Sequence, residues 1–154
     1  MNLDYREMQP PESYSRPDGE GFAREVRSRA LLTKWGVQLP SAPLDLLSGR
    51  VKAWQCMAGS QLVGHCAADS MTGRIFSLGV IDGYEGRGIG RKLLSLTVAS
   101  LRSVGATRIW LAATPDPTAR AYGFYRALGW RPTGERTATG EEILELPADR
   151  SDRP

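Results

Sequence analysis

Apolar and polar positions along the chain change period several times. In "LDYREM", Leu3 to Met8, Leu3 and Tyr5 alternate with polar neighbours, which predicts a short strand. The proline- and glycine-rich "QPPESYSRPDGEG" then leads to a 3.6-residue period in Phe22, Val26 and Ala30, with Leu31 and Trp35. Asp18 is a plausible N-cap for that helix and Gly36 a C-cap signal. "SAPLDLLSG" carries a cap at Ser41, Pro43 in a first turn and Gly49 as a stop, which predicts a second, short helix. Strand-like runs follow over Val51 to Met57, Gln61 to Asp69 and Arg74 to Val80, joined by turns at Ala58-Gly59-Ser60 and Ser70-Met71-Thr72-Gly73. Ile89, Leu93, Leu94, Leu96, Val98 and Leu101 predict an amphipathic helix over Gly88–Val104, closed by Gly105. Thr107 to Thr114 is expected as a buried strand and Pro117 to Leu128 as a helix capped by Gly129. Trp130 to Arg136 and Glu141 to Leu146 are expected as a last hairpin.

The predicted order is β-α-α-β-β-β-α-β-α-β-β. The fold class is therefore mixed α/β, with antiparallel strands first and a strand–helix–strand crossover that creates one parallel pair. No repeat or linker divides the chain, so residues 1–147 are expected as one domain and 148–154 as a frayed tail. At 154 residues there is enough chain for a real core, and 41% hydrophobic with 24% charged residues is ordinary for a globular domain. No apolar run reaches membrane-span length, and the polar start "MNLDYREMQPPE" is unlike a signal peptide, so a soluble cytoplasmic protein is expected. The net charge of +3 does not argue for nucleic acid by itself. Cys56 and Cys66 flank the Ala58-Gly59-Ser60 turn. Pairing across it places Cys56 opposite a residue near Leu62 and Cys66 opposite one near Lys52, far apart along the hairpin. They are read as small buried residues rather than a disulfide, and a metal site lacks ligands.

The segment "GVIDGYEGRGIGRKLL", Gly79 to Leu94, sets Gly83, Gly86, Gly88 and Gly90 where a strand passes into a helix. Such a turn exposes unpaired helix N–H groups at the positive end of the helix dipole, which suits an anion. From Gly86 to Pro115 there is no Asp or Glu, while Arg87, Arg91, Lys92, Arg102 and Arg108 are basic. A phosphorylated ligand is the first reading. The dinucleotide pattern G-x-G-x-x-G fails because Arg91 stands at its last glycine, and the phosphate-loop pattern G-x-x-x-x-G-K-[ST] fails because Ile89 and Gly90 follow Gly88.

"SLGVIDGYEGRGIGRKLL" resembles the acetyl-CoA-binding segment of the GNAT acyltransferases, a strand end followed by R/Q-x-x-G-x-G/A and a helix. Leu78 and Val80 match the strand end, and Gly88 and Gly90 the two small positions. "TARAYGFYRALGW", Thr118 to Trp130, resembles the family's N-x-x-A-x-x-F-Y-x-x-L-G-F helix through Ala121, Phe124, Tyr125, Leu128, Gly129 and Trp130. The chain departs from the pattern at Glu85, Asp82 and Thr118, where the family carries Arg or Gln, Pro and Asn. An acid beside a pyrophosphate is unfavourable unless it turns away or pairs with an arginine, so Glu85 is expected to do one or the other.

The resemblance implies a GNAT fold: a mixed, mostly antiparallel sheet with a splayed parallel pair and flanking helices. It implies acetyl-CoA as cosubstrate, in a cleft between the Arg74–Val80 and Thr107–Thr114 strands. Backbone near Leu78 and Val80 would pair with the pantetheine arm. Amides from Gly86 through Arg87, Gly88, Ile89 and Gly90 to Arg91 would cradle the pyrophosphate, with Arg87, Arg91 or Lys92 reaching other phosphates. Thr118 would hydrogen-bond the pantetheine in place of Asn. Tyr125 matches the family's tyrosine placed to give the leaving thiolate a proton; a core aromatic is its alternative role. The general base stays open among His65, Asp69, Asp82 and a water. The implied partners are acetyl-CoA and a primary amine of a small molecule or peptide. Acetylation of aminoacyl-tRNA and a non-catalytic acetyl-CoA-binding regulator are the competing readings, and a homodimer is among the assemblies it allows. Acceptor specificity is expected from the first helices, the Val37–Arg50 connection and the final hairpin, with Trp35, Trp54, Arg24, Arg27 and Arg29 on that side or on a solvated face.

Overall fold

The structure, a computed structural model, describes residues 2–7 and 51–148. The two helices expected between residues 18 and 49 lie outside the described residues, as do Trp35, Arg24, Arg27 and Arg29. Among the described residues seven strands form one sheet: β1 (Leu3–Glu7), β2 (Val51–Ala58), β3 (Gln61–Asp69), β4 (Arg74–Val80), β5 (Trp110–Ala113), β6 (Arg131–Arg136) and β7 (Glu142–Glu145). Their spatial order is β1-β2-β3-β4-β5-β7-β6. All neighbours are antiparallel except β4 and β5. Among the described residues there are two helices, α1 (Ile89–Ser103) and α2 (Arg120–Ala127). The expected GNAT-type architecture is the one observed.

Helix α1 lies across β2, β3 and β4. Its 3.6-residue stripe buries Ile89, Leu93, Leu94, Thr97, Val98 and Leu101, and each fully buried leucine contributes about 2 kcal/mol. Thr97 joins the buried face because its hydroxyl donates to the Leu93 carbonyl at 2.9 Å. The Trp54 indole donates to Ser100 Oγ at 2.9 Å and ties β2 to the helix. The approach is close at Gly64 on β3. A Cβ built there would lie 2.9 Å from Leu93 Cδ1 and 3.0 Å from Ile89 Cγ2.

Several boundaries differ from expectation for local reasons. Gly88 sits in the left-handed region with φ 80°, so α1 starts at Ile89. Helix α2 starts at Arg120 because residues 116–119 are spent on a turn: Asp116 Oδ1 accepts from the Thr118 amide at 2.9 Å. Strand β5 starts at Trp110, whose amide donates to the Gly73 carbonyl at 3.1 Å. The β2–β3 register shifts between Cys56 and Met57, so Cys56 faces Gly64 and Cys66 faces Trp54. The cysteines are thus two positions offset rather than far apart. A diagonal pair spans about 7–8 Å, at the limit for a disulfide; both thiols are free and buried.

The parallel pair is clamped at one end. Arg74 pairs with Trp110, and this is the only register pair of β4 with β5. Arg74 and Arg108 place their guanidinium carbons 5.2 and 5.3 Å from the Trp110 ring, whose Nε1 donates to the Thr72 carbonyl at 3.0 Å. Arg108 is held in turn by Glu145 at 3.2 Å and Glu135 at 3.3 Å. Beyond Arg74 the strands diverge, leaving a cleft at the Leu78–Val80 end of β4.

Candidate active site

The cleft opens into a cavity of about 450 Å³. The β4 end contributes Leu78, Gly79 and Val80. The loop and first turn of α1 contribute Tyr84, Glu85, Gly86, Gly88, Ile89, Gly90 and Arg91. Helix α2 contributes Arg120, Ala121, Phe124 and Tyr125. Eight residues expected at the site are therefore brought together: Leu78, Val80, Gly86, Gly88, Ile89, Gly90, Arg91 and Tyr125.

The loop presents a bare helix end to this cavity. Gly86 and Gly88 have φ of 75° and 80°, a region that a side chain rarely adopts, and no heavy atom of the described residues lies within 4 Å of a Cβ built at either. No side chain caps α1, and its first turn holds no acidic residue. The first bond into the helix runs from the Lys92 amide to the Gly88 carbonyl at 3.0 Å. The amides of Ile89, Gly90 and Arg91 therefore have no intrahelical acceptor and sit at the positive end of the dipole. Open space, free amides and the Arg91 side chain fit a phosphate group.

Two other expected contacts fall elsewhere. Arg87 does not line the cavity: its Nη2 donates to the Gly83 carbonyl at 3.3 Å, and its guanidinium lies 4.9 Å from the Tyr84 ring centre. Thr118 is exposed outside the cavity, and its hydroxyl donates to Asp116 Oδ1 at 2.7 Å. Glu85 does line the cavity, and Arg120 of α2 meets it at 3.3 Å. The acid is thus paired with an arginine, one of the two arrangements expected for it.

Tyr125 packs between Phe124 and Trp130, with ring centres 5.2 and 6.1 Å away. Burial pushes its phenol up to about 12, with a smaller push from a Cys66 thiolate. It keeps its proton at any physiological pH. Burial also pushes the Cys66 thiol up to about 12 and raises that of Cys56, so neither is a ready nucleophile.

The three candidate bases are placed differently. His65 is buried, its Nε2 hydrogen-bonded to Ser77 Oγ, and burial pushes its imidazole down to about 4. It is neutral at pH 7. Asp69 lies opposite Arg74 in the β3–β4 register, at the clamped end of β4, six residues or about 20 Å of strand from Val80. Its Oδ1 accepts from the Met71 amide at 2.9 Å as part of a turn. Asp82 is exposed on the loop after β4 and does not line the cavity.

The profile of the "Acetyltransferase (GNAT) family" matches residues 12–130 of the chain. The chain belongs to the GNAT acetyltransferase family. As a member it is an acyltransferase, and its splayed β4–β5 pair with the glycine turn is the family's fold seen in this sequence. Solved GNAT structures share that fold at low identity. The PaiA N-acetyltransferase of Thermoplasma acidophilum, in complex with coenzyme A, superposes with a TM-score of 0.66 at 15% identity, over 96% of this chain and 100% of that one. A putative acyl-CoA N-acyltransferase of Klebsiella pneumoniae gives 0.61 at 18%, over 94% and 97%. The ribosomal-protein-S18-alanine N-acetyltransferase of Escherichia coli gives 0.52 at 22%, over 73% and 82%. No curated protein matches the chain by sequence.

The GNAT motifs left Arg120 and Tyr84 unremarked. Arg120 stands directly before Ala121 of the second motif, so its place on the cleft wall was available from helical spacing. Its pairing with Glu85, 35 positions earlier, was not. Among the described residues no helix is long and apolar enough to cross a membrane, and no group of His, Cys, Asp or Glu could hold a metal.

Proposed function

We propose that this chain transfers an acetyl group from acetyl-CoA directly to a primary amine of a small molecule or peptide. One observation carries the reading: a single cavity joins the uncapped N-terminus of α1 to the Tyr125 side chain. Acetyl-CoA supplies an activated thioester. The amides of Ile89, Gly90 and Arg91 with Arg91 itself bind its pyrophosphate, and the open edge of β4 at Leu78–Val80 positions the pantetheine arm. Arg87 and Thr118 take no part while they stay engaged with Gly83 and Asp116. The buried, protonated thiols of Cys56 and Cys66 favour direct transfer over an acyl-cysteine route.

Tyr125 acts on the leaving sulfur. A phenol pushed to about 12 is a poor match for a thiol near 8.5, so it lowers the barrier by hydrogen-bonding the developing thiolate, which takes its proton from water after it leaves. His65 takes a structural part, because its imidazole is buried and engaged with Ser77. Water removes the proton from the amine.

The test is thiol release from acetyl-CoA across a panel of amines that includes polyamines, peptides with free N-termini and aminoacyl-tRNA. Turnover on a small amine or peptide supports the reading. Turnover on aminoacyl-tRNA alone moves the acceptor to RNA. Binding of acetyl-CoA with no turnover on any member would leave a regulator, and absence of binding overturns the site assignment.

A further inference from the structure

Glu85 and Arg120 face each other across the mouth of the cleft, one on the loop before α1 and the other in the first turn of α2. Among the described residues lining the cavity, Glu85 is the single acid, against Arg91 and Arg120. Arg120 also sits against its own helix. A cation in a first turn opposes the dipole, and α2 has no acidic residue there and no side-chain cap. Such a guanidinium gains from any anion nearby. Glu85 supplies one at 3.3 Å, with side chains 48% and 70% exposed. An ion pair that open to water is worth only a fewfold in an equilibrium, so a phosphate already held by the α1 amides can take the arginine from it. Arginine also binds phosphate through two parallel N–H bonds, which a phosphate oxygen pair accepts as well as a carboxylate does.

We propose that the Glu85–Arg120 pair is a clasp over the cleft mouth, and that Arg120 leaves Glu85 for a phosphate of the cosubstrate when it binds. This rests on the proposed acetyl-CoA site. Glu85 then sets affinity by competing for Arg120 and takes no part in the chemistry. The two partners of one ion pair must therefore act with opposite sign. Arg120→Gln weakens coenzyme A binding about tenfold, whereas Glu85→Gln tightens it about two- to fivefold. In the Arg120→Gln background, Glu85→Gln changes little, because there is no arginine left to release.

The experiment is calorimetric titration of coenzyme A into the full chain, the two single variants and the double variant, with thermal melts of each. A clasp gives opposite shifts in Kd and melting temperatures within a degree or two of wild type. A merely structural pair lowers both melting temperatures and moves Kd in the same direction, which overturns the proposal. Equal tightening by Glu85→Gln with and without Arg120 also overturns it, since that is direct repulsion of the phosphate. Failure of the wild-type chain to bind coenzyme A overturns the acetyl-CoA reading instead. Wild-type binding with no opposite shifts overturns the clasp alone.

Discussion

Gly64→Ala probes the point at which core packing and the candidate site meet. The glycine lies on β3 under the first turns of α1, where a Cβ would come 2.9 Å from Leu93 Cδ1, 3.0 Å from Ile89 Cγ2 and 3.3 Å from the Gly79 carbonyl. Side chains with room can swing away from one methyl group. Leu93 and Ile89 are 0% and 1% exposed, so their movement must be taken up by the helix. Overpacking of this kind costs about 1–3 kcal/mol. For a chain of 154 residues each kcal/mol lowers Tm by about 3 °C, so the variant should melt about 3–9 °C below wild type. Ile89 is also the first residue of α1 and lines the cavity, so a displaced helix end misaligns the free amides. The KM for acetyl-CoA should rise several-fold while kcat changes less. Differential scanning calorimetry and steady-state kinetics read the two effects. An unchanged Tm would show that Leu93 and Ile89 accommodate the methyl group freely, and the packing argument would fail. A lowered Tm with unchanged KM would separate the core from the site.

Other substitutions test single groups. Tyr125→Phe keeps the packing against Phe124 and Trp130 but loses the donor; kcat should fall about 100-fold or more with KM for acetyl-CoA within about twofold, and unchanged turnover would remove Tyr125 from the chemistry. Because burial raises the Tyr125 phenol above its usual 10 to about 12, the donor form persists as pH rises, and wild-type kcat should show no loss from this group between pH 8 and 10. His65 has its folded-state pKa depressed from 6.5 to about 4, so the unfolded chain binds the proton first. Its contribution is present above pH 6.5 and lost as pH falls towards 4, by up to about 3 kcal/mol. Urea unfolding of wild type and His65→Gln should converge over that window, and parallel curves would refute the assignment. Trp110→Ala removes the ring between Arg74 and Arg108 and should cost about 2 kcal/mol, less than a fully buried aromatic. It should also loosen the clamped end of the β4–β5 pair, seen as a lower Tm and weaker coenzyme A binding.

Much of the local structure was written in the amino-acid order. β3 and β4 occupy the segments read from alternation and turn residues, because each run is bounded by glycine or polar turn chemistry that acts over two to four residues. Helix α1 followed from its apolar stripe, and its bare N-terminus from Gly86, Gly88 and the lack of acids after Glu85. These are short-range properties, and a sequence carries them directly. The tertiary structure decided what depends on contacts between distant segments. One shift in the β2–β3 register brought Cys56 opposite Gly64, since pairing geometry propagates from a single irregular position. β7 settled between β5 and β6, and β5 met β4 at one pair before diverging, which made the cleft. Burial holds His65 neutral well below pH 6.5, and burial with a smaller push from Cys66 makes Tyr125 a reluctant acid. Arg120 met Glu85 only because the α1 and α2 ends converge on one cavity. No local pattern encodes that meeting, because the 34 residues between them must first fold.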